Sequence, residues 1–286
     1  MIGVIGDIIL DKYTYTSSIR ESQECASAPV GVIHKIEYRL GGAGNVALNV
    51  QKLGANVKLF GACSDTTTLK LIHTNSIPIS LTNTACSIVK NRIFVNDKYY
   101  IRVDEEQQIV HNEKELISSI SSDIDTLIIS DYGKNTITNI SSLKNKANII
   151  VDAKRDFEKY RGVRFIKPNL KEYCEYLHIP IAPSTIDRIL NNPKTVDILD
   201  ALDIQSMIIT AGPKGAIIVH RDFVELLPTM QVPVADVTGA GDTFIAAFAV
   251  AIVEDKTLRD AVHFANRAAA ISVTKRGTSY VNRNEI

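Results

Sequence analysis

Short, mostly apolar runs recur along this chain. They occupy residues 2–5, 57–60, 126–130, 148–152, 164–166 and 206–210, and polar or helix-like stretches separate them. Successive strand side chains point to opposite faces, so a strand that is apolar at every position must be buried on both. A parallel sheet with helices on each side provides that environment. The pattern therefore predicts an α/β fold with a doubly wound, mostly parallel sheet. Val46, Leu48, Val50 and Leu53 fall near helical spacing, and Gly54 follows as a stop, which predicts a helix over residues 44–53. Residues 240–253 and 258–273 read as two long closing helices.

Two regions break the rhythm. Residues 28–39 and 87–103 alternate and are rich in β-branched and aromatic side chains. They read as extra strands outside the main sheet. Residues 180–194 carry three prolines and read as a surface connection and helix start. No repeat, low-complexity tract or linker divides the chain, so residues 1–286 are expected to form a single domain.

Composition excludes some classes of function. The formal net charge is zero and there is no basic block. A nucleic-acid partner is therefore not expected, because such partners need a positive surface. No apolar stretch approaches the ~20 residues that span a bilayer. The N-terminus lacks a basic region and meets Asp7 early, so it reads as a core strand and not a signal peptide. Cys25, Cys63, Cys86 and Cys174 form no C-x-x-C pair. Reduced thiols in the cytoplasm are the expectation.

The chemistry concentrates in residues 236–244, Asp-Val-Thr-Gly-Ala-Gly-Asp-Thr-Phe, followed by an apolar run. Gly239, Ala240 and Gly241 stand at a helix start, where free backbone N–H groups attract anions. Asp242 would repel a phosphate bound there. Its position makes sense if it takes a proton from a hydroxyl while the amides stabilise a transferring phosphoryl group. The alternative is a glycine-rich turn with Asp242 as a helix cap.

A second segment, residues 41–54, reads Gly-Gly-Ala-Gly-Asn-Val-Ala-Leu-Asn-Val-Gln-Lys-Leu-Gly. Asp-x-Thr-Gly-Ala-Gly-Asp resembles the C-terminal signature of the ribokinase/PfkB sugar kinases, and the Gly-Gly segment resembles their N-terminal one. The two occur in the expected order at opposite ends of the chain, and the resemblance covers residues 1–280. Residues 6–13, 130–134, 156–162, 167–169 and 276–279 are most similar to the kinases of D-glycero-β-D-manno-heptose 7-phosphate within that family.

The resemblance implies a ribokinase-like fold with a small β lid, within about residues 14–40 and 87–103, that covers the sugar and packs against a second subunit. It implies ATP and Mg²⁺ and a phosphosugar substrate phosphorylated at the anomeric hydroxyl, with Asp236 either holding its loop or shaping a monovalent-cation site. It places Asp242 as the base and Gly239, Ala240 and Gly241 around the phosphoryl group. Asp11, Asn45, Gly41 and Gly42 would meet the sugar. Arg102 and Lys134 are candidates for its phosphate, although an isolated cation is usually a solvated surface charge. Asp7, Asp104 and Asp131 are weaker candidates for hydroxyls or for orienting cations.

Asn169 and Glu172 are three residues apart on one helix face and would hold Mg²⁺ through water. The same N-x-x-E spacing is also an N-cap pattern. Lys154 is assigned to the ATP phosphates, Thr210, Gly212 and Gly215 to the turn beside them, and Asn266 to adenine. The last turn could also be a plain β-turn, and Lys154 a loop lysine.

The chain departs from its pattern in two places. Asp152-Ala153-Lys154 replaces the usual Asp-Pro-Lys, and the segment after Asp65 is shorter and lacks a glycine. Two rivals remain. Gly42-Ala-Gly44-Asn-Val-Ala47 fits a dinucleotide-binding fingerprint but lies well beyond the first strand, where that motif does not belong. The other rival is a non-catalytic sugar- or nucleotide-binding protein.

Overall fold

The computed structural model describes residues 1–25, 29–85, 87–144 and 147–286. Ala28 of the expected lid and Cys86 lie outside the described residues. The first half of the chain forms β1 (Ile2–Gly6), β2 (Ile8–Glu21), β3 (Pro29–Gly42), α1 (Ala43–Lys52), β4 (Val57–Ala62), α2 (Thr66–Thr74), β5 (Ile79–Thr82), β6 (Val89–Val95), β7 (Lys98–Glu105), α3 (Glu113–Ser118) and β8 (Thr126–Asp131). The second half forms β9 (Asn148–Ala153), β10 (Phe165–Ile166), α4 (Leu170–Tyr176), α5 (Thr185–Asn191), α6 (Asp197–Leu202), β11 (Ser206–Thr210), β12 (Ala216–His220), β13 (Phe223–Leu227), α7 (Ala240–Val253) and α8 (Leu258–Ser272).

The main sheet has the order β13-β12-β11-β10-β9-β8-β1-β4-β5. From β11 to β5 every pairing is parallel, while β12 and β13 add an antiparallel edge. Alternate residues feed two cores. Val4, Ile128 and Ile208 pack with α1, α7 and α8 on one face. Ile5, Ile129 and Ile209 pack with α3, α4, α5 and α6 on the other. This is the two-sided burial that the apolar runs demand. Helix α7 is apolar all round because α1 and α8 flank it, and Phe248 on it meets Phe165 of β10 edge-on at 5.2 Å.

The lid is a separate sheet of order β3-β2-β6-β7. It begins earlier than the sequence suggests, because β2 starts at Ile8, directly after β1. Asp11 therefore lies within a long strand and not in a loop after the first strand. The polar β2 sequence hides the strand, since its pairing to β3 and β6 is what holds it extended.

Candidate active site

Strands β1, β8, β9, β10 and β11 run in one direction, so their carboxyl ends share an edge. Ligands of open α/β sheets bind beyond such an edge. Tyr132, Lys154, Lys167, Asn169 and Thr210 all emerge there, and Asn169 bridges to Thr210.

Asp242 stands in the first turn of α7, 3% exposed. Its Oδ2 accepts a hydrogen bond from Asn45 Nδ2 at 2.9 Å, and its Oδ1 accepts one from the Tyr132 hydroxyl at 2.7 Å. Burial pushes its carboxyl up to about 6, and Asp152 acts the same way; Asn45, Lys154 and Tyr132 hold it down. A buried carboxyl poised near neutrality suits proton transfer better than a solvated one.

Gly239 makes this clamp possible. It is left-handed (φ 80°), and a Cβ there would come within 2.8 Å of the same Asn45 amide nitrogen. No side chain caps α7, so its first amides lack a side-chain acceptor. Beside Gly241 stands Lys167, whose Nζ would lie 3.7 Å from a Cβ built on that glycine. Lys167 is 2% exposed. Its ammonium lies 3.1 Å from Asp152 Oδ1, the oxygen that also takes Lys154 at 2.9 Å. Burial works against the charge on Lys154, but Asp152 and Glu172 outweigh it and raise its pKa. Two cations thus share Asp152 close to the start of α7.

Asn169 and Glu172 form a capping box. Asn169 Oδ1 accepts from the Glu172 N–H at 2.8 Å, and Glu172 Oε2 accepts from the Asn169 N–H at 2.7 Å. These two oxygens are spent on the helix start and do not converge on one ion, because the cap satisfies amides that would otherwise be orphaned. Glu172 Oε1 turns toward Lys154 at 3.8 Å, and Asp152 Oδ2 is buried without a hydrogen-bond partner. Among the described residues no cluster of three or more His, Cys, Asp or Glu could cage a metal. The donor set fits a hydrated Mg²⁺ that takes further oxygens from the nucleotide.

Asp11, the first of the expected sugar residues, is 3% exposed. Arg92 donates to its Oδ1 at 2.6 Å and Thr278 donates to its Oδ2. A Cβ on Gly41 would come within 2.7 Å of that Oδ2, so the strand turns closely past the carboxylate. Gly42 (φ 53°) ends the strand where α1 begins.

Some expected residues are engaged elsewhere. Lys134 is paired with Glu106 at 2.6 Å and Arg102 with Asp104 at 2.7 Å. Asp7 accepts from the backbone amides of Tyr132, Lys134 and Thr136. Asp131 is bound by Lys159 and Tyr160. Asp236 accepts from the amides of Thr238 and Gly277 and so holds the loop before α7. Asn266 is buried, not on a helix surface, and donates to the Leu227 carbonyl at 3.0 Å, tying α8 to β13. The Gly212–Lys214 turn joins the antiparallel pair β11–β12, with Gly212 and Gly215 both at positive φ.

Arg102 does line a cleft of about 570 Å³ between the lid and the Asp236–Thr238 loop. Arg92 and Arg276 line it too, with Tyr15, Phe94 and Tyr99. Arg92, Tyr132 and Lys167 were not singled out from the sequence. Tyr132 and Lys167 sit in segments that carried the resemblance, but Arg92 is an isolated cation in a lid strand, and only the pairing of β2 with β6 brings it to Asp11.

The model of the pfkB family carbohydrate kinases matches residues 1–285. The chain belongs to this family. As a pfkB carbohydrate kinase it transfers phosphate from ATP to a sugar. It is 34% identical over 300 residues to the bifunctional protein HldE of Shewanella sediminis, covering 99% of this chain and 62% of that protein. To HldE of Helicobacter pylori it is 33% identical over 305 residues, covering 99% and 65%. The chain thus spans less than two thirds of the length of these relatives. Two solved structures share the ribokinase-like fold. Escherichia coli phosphofructokinase-2 in complex with fructose-6-phosphate has a TM-score of 0.77 at 17% identity, covering 100% of this chain and 96% of that one. Arabidopsis thaliana ribokinase complexed with ribose and ATP has a TM-score of 0.76 at 19% identity, covering 99% and 96%. Among the described residues no helix is long and apolar enough to cross a membrane.

Proposed function

We propose that this kinase phosphorylates the anomeric C1 hydroxyl of D-glycero-β-D-manno-heptose 7-phosphate, giving the 1,7-bisphosphate and ADP. The observation that carries a phosphorylated substrate is the arginine-lined cleft, which runs up to Asp11 through Arg92 and up to α7 through residues 236–238. Arginines are suited to a phosphate dianion. The heptose reading rests on the sequence segments described above, supported by the match of 99% of this chain to part of the HldE proteins.

Asp242 accepts the hydroxyl proton as the sugar oxygen attacks the γ-phosphorus. The bond from that phosphorus to the β–γ bridging oxygen breaks, and ADP leaves. The amides of Gly239, Ala240 and Gly241 meet the charge on the transferred oxygens, with Lys167 and Lys154 beside them. Asp11, Asn45, Gly41 and Gly42 orient the sugar. Glu172, through the oxygen that the cap leaves over, would hold Mg²⁺ by way of water, and the ion would supply charge neutralisation on the phosphates. Thr210, Gly212 and Gly215 lie beside the ATP phosphates, and Asn266 supports the adenine side by fixing β13. Lys134 is paired with Glu106 and is not among the residues lining the cleft.

Turnover should be tested as ADP release with Mg²⁺-ATP against the heptose 7-phosphate, sedoheptulose 7-phosphate, fructose 6-phosphate and ribose. Strong preference for the heptose phosphate is the expected result. Preference for ribose over every phosphorylated sugar would discard the role given to the arginine cleft. Preference for another sugar phosphate would keep the cleft and replace the heptose.

The lid supports a homodimer. Ile33, Tyr99, Ile101 and Val103 expose large apolar side chains on β3 and β7, with Tyr99 57% accessible. Exposed apolar side chains on both edge strands of a small sheet are better covered than solvated. Light scattering after size exclusion should show a dimer, and Ile101→Glu should shift it toward monomer. A wild-type monomer at micromolar concentration would refute this arrangement.

A further inference from the structure

The carboxylate of Asp242 has an anchor beyond the Gly-Ala-Gly turn and Asn45. Tyr132 follows β8, and its backbone N–H donates to Asp7 Oδ2 at 2.7 Å, which fixes the loop. Its hydroxyl donates to Asp242 Oδ1 at 2.7 Å. The ammonium of Lys90, on lid strand β6, lies 5.1 Å from its ring centroid, and that of Lys154 lies 4.9 Å away. Asp7 therefore holds the Tyr132 backbone, while Lys90 from the lid and Lys154 from the end of β9 flank its ring.

Resting on the reading of Asp242 as the base, we propose that Tyr132 is a positioning residue that fixes the Asp242 carboxylate in its reactive orientation and favours its ionised form. With Asn45 on Oδ2 and Tyr132 on Oδ1, the carboxylate cannot rotate without breaking a hydrogen bond, while each oxygen keeps a lone pair for the sugar hydroxyl. A hydrogen bond to the charged form favours that form. Burial and the neighbouring Asp242 keep the phenol itself far above its ordinary range, so it stays a neutral donor. The other charged groups facing this pair are Asp152 and Lys154 from the end of β9, Lys167 beside Gly241, and Lys90 and Asp11 from the lid.

The test compares wild type, Tyr132→Phe, Tyr132→Gln and Asp242→Asn with Mg²⁺-ATP and the best-turned-over sugar. Thermal melts serve as folding controls. Tyr132→Phe should lower kcat about 10- to 100-fold with KM for ATP nearly unchanged, since one hydrogen bond to a charged group is lost. The acid limb of its kcat profile should move to higher pH by roughly one unit. Tyr132→Gln keeps an N–H donor and should recover part of both effects; it carries the test if the Phe variant does not fold. Equal loss in both variants with an unmoved acid limb, or wild-type kinetics in Tyr132→Phe, would overturn the proposal. Activity retained in Asp242→Asn would instead overturn the base assignment on which it rests.

Discussion

Asp242→Asn is expected to lose about a thousandfold or more in kcat, with KM for sugar and ATP changing little. General-base catalysis contributes about 10²–10⁴-fold, and an amide cannot accept the proton. The substitution is close to isosteric, and the clamp from Asn45 and Tyr132 can persist on the amide. Loss should therefore fall on the chemical step and not on binding. The wild-type enzyme should lose activity as pH falls through about 6, because burial has raised this carboxyl to that value.

The same shift carries a stability prediction. The folded pKa of Asp242 is raised above its ordinary value, so the fold disfavours its charge. That cost is absent below about pH 4, grows between about 4 and 6, and is complete above. Asp242→Asn should consequently stabilise the protein at pH 7, by at most about 3 kcal/mol, and have little effect at pH 4. Denaturant melts of both proteins at the two pH values check it. A variant with most of its kcat retained sinks the catalytic assignment, and one less stable at pH 7 than at pH 4, relative to wild type, sinks the burial argument.

Arg92→Met is the second large expected effect. Arg92 and Asp11 form a buried ion pair at 2.6 Å, with side-chain exposures of 9% and 5%. Removing the cation leaves a buried carboxylate supported mainly by Thr278. Breaking such a pair from one side costs about 3–5 kcal/mol, which lowers Tm by roughly 10 °C in a domain of this size. The guanidinium also lines the cleft, so KM for the phosphosugar should rise well above any change in KM for ATP. Asp11→Asn in the same chain should restore part of the lost stability, because the two residues are directly coupled. A single variant that melts within about 1 °C of wild type would show the pair to be worth little.

The contrast between these residues shows what sequence could reveal. Asp242 and its glycines are contiguous, and local rules govern helix starts, so their place at the start of α7 is legible directly. Arg92 lies 81 residues from the Asp11 it neutralises, and nothing in the β6 sequence marks it as buried. Asn169 and Glu172 were open to two readings at the same spacing, and both arms of the cap are made in the fold. Arg102 and Lys134 were singled out as cations, but their partners Asp104 and Glu106 are set by side-chain geometry that no spacing rule contains.

By itself the sequence determined the parallel sheet, the closing helices and the two glycine-rich turns. Apolar runs, helical periodicity and glycines act over a few residues, so their consequences can be read along the chain. Only the tertiary structure decided which groups meet Asp242 and Asp11. Tyr132 reaches Asp242 across 110 residues, Asn45 across 197 and Thr278 reaches Asp11 across 267. These contacts depend on how the strands are ordered in the sheet and where the lid folds back. The proton affinity of Asp242 follows from that burial, because desolvation is a property of the assembled interior and not of any local segment.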